Sequence, residues 1–252
     1  MAHYAVTGAA RGIGAALAAK LRATGHEVTG FDITPAPDCV LLDVTDPSRF
    51  PELSGPFDGL CNAAGLPPRG DNAAAVLAVN FTGTRAFTEA VLPFLKTNAS
   101  IVNIASRAGQ HWRDGAAQAA RLGAVRDTAD VAAFVAREGI DATRAYNLSK
   151  EALILWTFAM AARPGATGPR INAVSPAAVD TAILGDFTRA FGGKVERNLQ
   201  KTGRAGTAEE VAAVAAFLLS PESRWIKGAD IFVDGGLSAI SLSAEMGLTG
   251  ML

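Results

Sequence analysis

The sequence has few of the residues on which several protein classes depend. Only two of its 252 residues are cysteines and only three are histidines. Cys39 and Cys61 lie inside apolar runs (CVLLD and GLCNAAG), where free thiols behave as small buried hydrophobes. Two such cysteines cannot form a disulfide framework and suit a reducing compartment. His3, His26 and His111 are far apart, and no Cys/His group has zinc spacing, so no metal site is expected. Neither sign of charge dominates: 23 Lys and Arg against 24 Asp and Glu leave a net charge of -1. That balance gives no concentrated positive field for nucleic acid or an anionic membrane. No apolar run approaches a membrane span. The strand-like HYAVTG at 3–8 begins too early to leave room for a signal peptide. The expectation is a cytoplasmic protein with no nucleic-acid or membrane partner.

Apolar residues are abundant, at 49% of the chain, enough to build a sizeable core without disulfides or metal. They are gathered in short runs at 3–8, 27–32, 39–43, 57–65, 100–106, 170–175 and 229–234. Several of these lack period-two alternation, as parallel strands covered on both faces do. Helical patterns lie between them, at about 12–24, 72–96, 114–137, 143–162 and 207–219. Thr207-Ala208-Glu209-Glu210 reads as a capping box, and Thr24-Gly25 as a helix end. This alternation predicts right-handed βαβ crossovers and an α/β fold: a Rossmann-type doubly wound parallel sheet in three α/β/α layers. No linker divides the chain, so 1–252 is expected to be one domain.

Thr7-Gly8-Ala9-Ala10-Arg11-Gly12-Ile13-Gly14 stands where the first strand should pass to the first helix. Glycines at such a turn let the backbone approach a pyrophosphate, and the helix N-terminus presents N–H groups to it. A glycine turn alone can equally serve packing. Asp32 strengthens the binding reading, because it ends the second strand 20 residues after Gly12, where a carboxylate accepts hydrogen bonds from an adenosine ribose. A carboxylate there repels a 2′-phosphate and favours NAD over NADP. Arg11 argues the other way. Tyr146 and Lys150, four residues apart, share one helix face. A nearby ammonium group favours phenolate and lowers the phenol pKa from its usual value near 10. Proton exchange with an alcohol then becomes feasible.

With these residues in place the sequence resembles the short-chain dehydrogenase/reductase family. Gly8-x-x-x-Gly12-x-Gly14 has that family's glycine spacing. Asn62-Ala63-Ala64-Gly65, Asn80 in Val79-Asn80-Phe81-Thr82-Gly83, and Ser106 closing Ile101–Ser106 are similar to its fourth-strand motif, helical asparagine and fifth-strand serine. Tyr146-Asn147-Leu148-Ser149-Lys150 matches its Tyr-x-x-x-Lys pair. Ser175–Thr181 and Val233-Asp234-Gly235-Gly236 resemble two later segments.

The resemblance implies a tetrad. Tyr146 would be the general acid/base, Lys150 would tune it and bind the nicotinamide ribose, Ser106 would steady the substrate oxygen, and Asn80 would hold a relay water. It also implies a cofactor path over Gly8, Arg11, Gly12, Ile13, Gly14 and Asp32, with Asp43 and Val44 at the adenine. Asn62, Ala63 and Gly65 would line the ribose path, and Pro176, Val179 and Thr181 would meet the nicotinamide. Hydride would pass between the nicotinamide and a secondary alcohol or ketone without a metal, and a homodimer or homotetramer is implied.

Two departures stand out. Ala177 replaces the usual glycine after Pro176. Tyr146 comes 40 residues after Ser106, with a helical insertion at about 112–142 between them. That insertion, and the short Val44–Pro56 region, are similar to the bacterial 3α-hydroxysteroid dehydrogenase/carbonyl reductase and coniferyl alcohol dehydrogenase branch. Substrate recognition is expected from Trp112, which opens the insertion, and from a lid at 180–205. There Ile183, Leu184, Phe187 and Phe191 recur at helical spacing, suiting a bulky apolar steroid or aryl substrate. The apolar tail 237–252 is expected to pack on the subunit or on a neighbour. Alternatives are an NADPH-dependent 3-ketoacyl-type reductase, to which Arg11 lends support, and a non-catalytic dinucleotide sensor, against which the intact Ser106/Tyr146/Lys150 set argues.

Overall fold

The computed structural model describes residues 1–163 and 168–251. Seven strands, β1 (His3–Thr7), β2 (Glu27–Asp32), β3 (Cys39–Leu41), β4 (Phe57–Asn62), β5 (Leu95–Ile104), β6 (Arg170–Pro176) and β7 (Asp230–Val233), form one parallel sheet. Their order is β3-β2-β1-β4-β5-β6-β7. The chain builds outward from β1 to β3, then returns to β4 on the other side of β1. The crossovers that follow β1 and β4 therefore run to opposite sides, and a crevice opens at the carboxyl ends of these strands.

The helices are α1 (Gly12–Ala23), α2 (Ala73–Leu77), α3 (Thr84–Val91), α4 (Trp112–Ala124), α5 (Val131–Glu138), α6 (Ala142–Ala161), α7 (Leu184–Phe191), α8 (Gly193–Thr202), α9 (Ala208–Leu219) and α10 (Leu237–Met246). Successive strand residues point to opposite faces, and both faces are covered. Tyr4 and Val6 of β1 pack with Leu17 and Leu21 of α1 and with Val211, Ala215 and Leu218 of α9. Ala5, between them, faces the other layer with Leu60, Ile101, Phe87 and Val91. This two-sided burial explains why the strands read as continuous apolar runs. In a third cluster Leu148, Leu153 and Ile154 of α6 meet Leu122, Val131 and Phe134 of the insertion.

Several local expectations appear as read. Thr207 Oγ1 accepts from the Glu210 N–H at 3.2 Å, and a Glu210 carboxylate oxygen accepts from the Thr207 N–H at 2.8 Å, completing the capping box. Two helical stretches are corrected. The pattern at 72–96 is interrupted by a π-helical segment, Ala78–Gly83, between α2 and α3. The pattern at 114–137 is two helices, because Val125 turns extended after α4. The buried Arg85 guanidinium donates to the carbonyl oxygens of Gly123 (2.8 Å) and Val125, satisfying carbonyls that the end of α4 leaves free. Segment 180–205 holds α7 and α8, separated at Gly192 with φ of 54°. In the tail, Leu237 is buried while Ile240, Leu242 and Met246 are exposed. Among the described residues no helix is long and apolar enough to cross a membrane.

Candidate active site

The glycine turn is shaped by close backbone approaches. A Cβ on Gly8, whose φ is +67°, would lie 2.8 Å from the Ala63 backbone, and one on Gly14 would lie 2.2 Å from the Gly8 carbonyl oxygen. Thr7 Oγ1 accepts hydrogen bonds from the Ala63 and Ala64 N–H groups at 3.1 Å each, which pins the loops after β1 and β4 together. The buried Asp32 accepts from the N–H groups of Ala10 (3.0 Å) and Thr34 (2.8 Å), fastening the end of β2 to the glycine loop. Arg11 is exposed at the start of α1. Asp43 is exposed and Val44 buried, and the absence of a side chain on Gly83 admits the Val44 carbonyl oxygen to within 2.5 Å of where its Cβ would stand.

The Asn62 side chain is engaged within the protein. Its Nδ2 donates to Thr88 Oγ1 and to Asn103 Oδ1, both at 2.8 Å, and Asn103 in turn donates to Thr157 Oγ1 at 2.9 Å. The side chain belongs to a buried polar chain beneath the crevice, since an amide enclosed there needs partners. Its Oδ1 is buried without a protein partner among the described residues.

Tyr146 and Lys150 stand one turn apart on α6, whose N-terminus is capped by Asp141 accepting from the Arg144 N–H at 2.6 Å. Lys150 Nζ donates to the Ile104 carbonyl oxygen at 2.9 Å and lies 5.8 Å from the Tyr146 ring centroid. Ser106 follows β5, and its Oγ accepts from the Ala108 N–H at 3.1 Å. Burial pushes the Tyr146 phenol up to about 12, with the neighbouring Ser106 hydroxyl pulling it down in part. Burial likewise brings the Lys150 ammonium down to about 8. Burial, and not Lys150, therefore sets the direction of the phenol, because removing both groups from water disfavours both charged forms.

Asn80 lies in the π-helical segment, a local geometry frequent at functional sites. Its Oδ1 accepts from the Leu66 N–H at 2.7 Å, and its Nδ2 donates to the Leu66 carbonyl (3.0 Å) and to Ser149 Oγ (3.3 Å). The side chain therefore clamps the loop after β4. A Cβ on Gly65 would lie 3.3 Å from Asn80 Oδ1 and 4.0 Å from Lys150 Nζ, so the bare glycine keeps these groups close.

A cleft of about 360 Å³ brings together Asn80, Ser106, Tyr146 and Lys150 with Ile13, Ala63, Gly65, Pro176, Val179 and Thr181. Ile183, Leu184, Phe187 and Phe191 form its apolar wall. The Phe187 ring meets Tyr146 edge-on at 5.0 Å between centroids, and Phe191 stacks at 6.3 Å behind it. Gly8, Arg11, Gly12, Gly14, Asp32, Asp43 and Val44 flank the crevice outside this cleft. Trp112 is a second correction. It packs edge-on against Phe158 of α6 at 5.2 Å, with the Arg113 guanidinium 4.1 Å over its ring, away from the cleft. Packing of α4 along α6 turns that side chain to the helix interface.

Gln110 and His111 line the cleft in its place. Two further lining residues, Arg144 and Glu151, form a bidentate ion pair at 2.8 and 2.7 Å. Their spacing of two helical turns was a readable signal. Asn147, inside the Tyr-x-x-x-Lys pair, also lines the cleft and carries a buried Oδ1 without a protein partner among the described residues.

A family profile described as "Enoyl-(Acyl carrier protein) reductase" matches residues 116–238. The coniferyl-alcohol dehydrogenase of Pseudomonas sp. (strain HR199 / DSM 7063) is 36% identical over 245 residues, covering 93% of this chain and 95% of its own. The chain belongs to the short-chain dehydrogenase/reductase family. The 3-alpha-hydroxysteroid dehydrogenase/carbonyl reductase of Comamonas testosteroni is another member, 32% identical over 95% of this chain and 98% of its own. Among solved members, the 3-alpha-hydroxysteroid dehydrogenase of Pseudomonas sp. B-0831 complexed with NADH superposes with a TM-score of 0.81 at 30% identity, covering 95% of this chain and 98% of that one. As a short-chain dehydrogenase/reductase, this chain is an oxidoreductase of alcohols and carbonyls that uses a nicotinamide dinucleotide. The glycine turn suits that group, because a Cβ at Gly12 would meet only Thr181 Cγ2, at 3.7 Å, which leaves open space against bare backbone at the start of α1.

Proposed function

We propose that the protein interconverts a bulky apolar secondary alcohol and its ketone, a steroid or aryl compound, with NAD. The observation that carries this reading is a buried phenol, Tyr146, beside the Ser106 hydroxyl and under an aromatic wall, in a cleft large enough for such a molecule. When bound, the cofactor supplies the hydride exchange. Tyr146 Oη takes the alcohol proton in oxidation and returns it in reduction. Ser106 Oγ donates to the substrate oxygen and steadies charge developing there. Lys150 stabilises the phenolate and holds the nicotinamide ribose. Because the Asn80 side chain is engaged with Leu66, its part in a water relay falls to its main chain.

Gly8, Gly12 and Gly14 hold the pyrophosphate in this reading, and Asp32 the adenosine ribose, with Asp43 and Val44 beside the adenine. Pro176, Val179 and Thr181 meet the nicotinamide. Asp32, already bound to the glycine loop, supports NAD over NADP, because a 2′-phosphate would face its carboxylate. A homodimer or homotetramer is supported by the exposed Trp225, Phe217 and Phe232, the last on the edge strand β7. The test is turnover of steroid, aryl and aliphatic secondary alcohols with NAD and NADP in parallel. NAD-dependent turnover should fall about 10²–10⁴-fold in Tyr146→Phe, the usual worth of a general acid/base. Undiminished turnover in that variant refutes the assignment. Higher kcat/KM with NADP refutes the role of Asp32.

A further inference from the structure

An ion pair joins the loop after β4 to α7, between residues far apart in sequence. Asp186 of α7 is 5% exposed, although it is a carboxylate on the helix that carries the apolar wall. One of its oxygens accepts from the Arg69 guanidinium and the other from Arg189, one turn along α7. Arg69 belongs to the loop after β4. That loop is braced internally, with the Arg69 N–H donating to Asn72 Oδ1 at 2.9 Å and Asn72 Nδ2 donating to the Pro67 carbonyl at 3.1 Å. It is anchored at Leu66 by both polar atoms of the Asn80 side chain. The next residue after Asp186 is Phe187, whose ring covers the Tyr146 phenol. The bridge thus joins the framework that holds Asn80 to the helix that roofs Tyr146.

We infer that Asp186 is a positioning residue: clasped by Arg69, it holds α7 to the loop after β4, fixes Phe187 over Tyr146 and so sets which width of alcohol the site accepts. The inference rests on the proposed alcohol chemistry for its specificity, and on the bridge alone for its mechanics. An unpaired carboxylate buried at this point would be costly, so α7 is stable in this position only while its partners are present. Arg189 travels with α7 and does not hold it to that loop. Arg69 makes the tie.

The test compares the wild type with Arg69→Met, Arg69→Lys and Asp186→Asn in two measurements. Hydrogen exchange of the α7 amides, without substrate, should be faster in Arg69→Met and Asp186→Asn, with Arg69→Lys close to the wild type. Unchanged exchange in Arg69→Met overturns the clasp, whether or not any alcohol turns over. Arg69 is largely exposed, so that variant retains the fold even if Asp186→Asn does not. In steady-state assays, Arg69→Met should raise KM about fivefold for a bulky aryl or steroid alcohol, the size expected when one partner of the pair is exposed. kcat should be unchanged, as should kcat/KM for a small aliphatic secondary alcohol. Equal changes for both alcohols, or a fall in kcat alone, overturn the specificity role. Absence of wild-type turnover on every alcohol refutes the functional reading instead, and the exchange measurement then decides the clasp.

Discussion

The two walls of the cleft are built by different means. The cofactor wall, after β1 and β4, is set by main chain: Gly8 and Gly14 approach neighbouring backbone so closely that no Cβ fits, and one threonine hydroxyl ties the two loops. The substrate wall is set by side chains, through the Phe187–Phe191–Tyr146 rings and the Arg69–Asp186 bridge. Backbone sterics have almost no tolerance, whereas aromatic contacts and an ion pair can be re-formed around a different molecule. A shared cofactor and a changeable substrate call for that division.

The largest effect that would test this contrast is at Gly14. Gly14→Ala places its Cβ against the Gly8 carbonyl, and overpacking of that severity costs about 3 kcal/mol. Thermal melting should show Tm lower by roughly 6–12 °C for a chain of this size, together with loss of NADH binding by titration. A variant that melts and binds like the wild type would show that the cofactor wall is adaptable after all.

Lys150 offers a second test, between the walls. Its ammonium pKa is lowered from 10.5 to about 8 by burial, so the folded state carries a cost that is full below about pH 8 and fades as pH rises towards 10.5. That cost is about 3 kcal/mol, against about 1 kcal/mol for the hydrogen bond to Ile104. Lys150→Met should therefore be about 2 kcal/mol more stable than the wild type at pH 7 in denaturant titrations, and the gain should vanish by about pH 10. Turnover should be lost throughout. A destabilised variant at pH 7 would mean that packing, not charge burial, governs this position. Because the phenol lies above its ordinary range, kcat/KM for oxidation should still be climbing at pH 9 in the free enzyme. A plateau already reached below pH 7 would contradict the burial argument.

The smallest effect belongs to the substrate wall. Phe187→Ala should raise KM for bulky alcohols about tenfold, from roughly 1–2 kcal/mol of lost aromatic contact, while cofactor affinity stays within about twofold. Equal loss of cofactor affinity would mean that the two walls are coupled.

What the sequence made legible follows the same division. The alternation of strands and helices, the glycine turn, the capping box and the Tyr146/Lys150 face depend on near neighbours or on spacings that secondary structure imposes. Asp186 could not be matched to Arg69, since a separation of 117 positions carries no periodic signal for a contact made only in three dimensions. Trp112 was misplaced because an aromatic residue at an insertion's edge reads the same whether it faces a ligand or a helix. The partners of Asn62 were not legible, because a motif shows that an amide is needed without showing which way it points. The break at Val125 was hidden by alanines on both sides, which favour helix wherever tertiary contacts do not object.

The buried Asn62–Asn103–Thr157 chain has a consequence for assembly of the sheet. Strands apolar on both faces, such as Ile101–Ile104, give a neighbour little reason to prefer one alignment over its adjacent one. Asn62 and Asn103 are directly paired in the β4–β5 ladder. A slip by one residue would set Val102 or Ile104 opposite Asn62 and break the hydrogen bond between the two enclosed amides. These asparagines therefore act as a key that admits one alignment, so the crevice above them forms only when the centre of the sheet has assembled correctly.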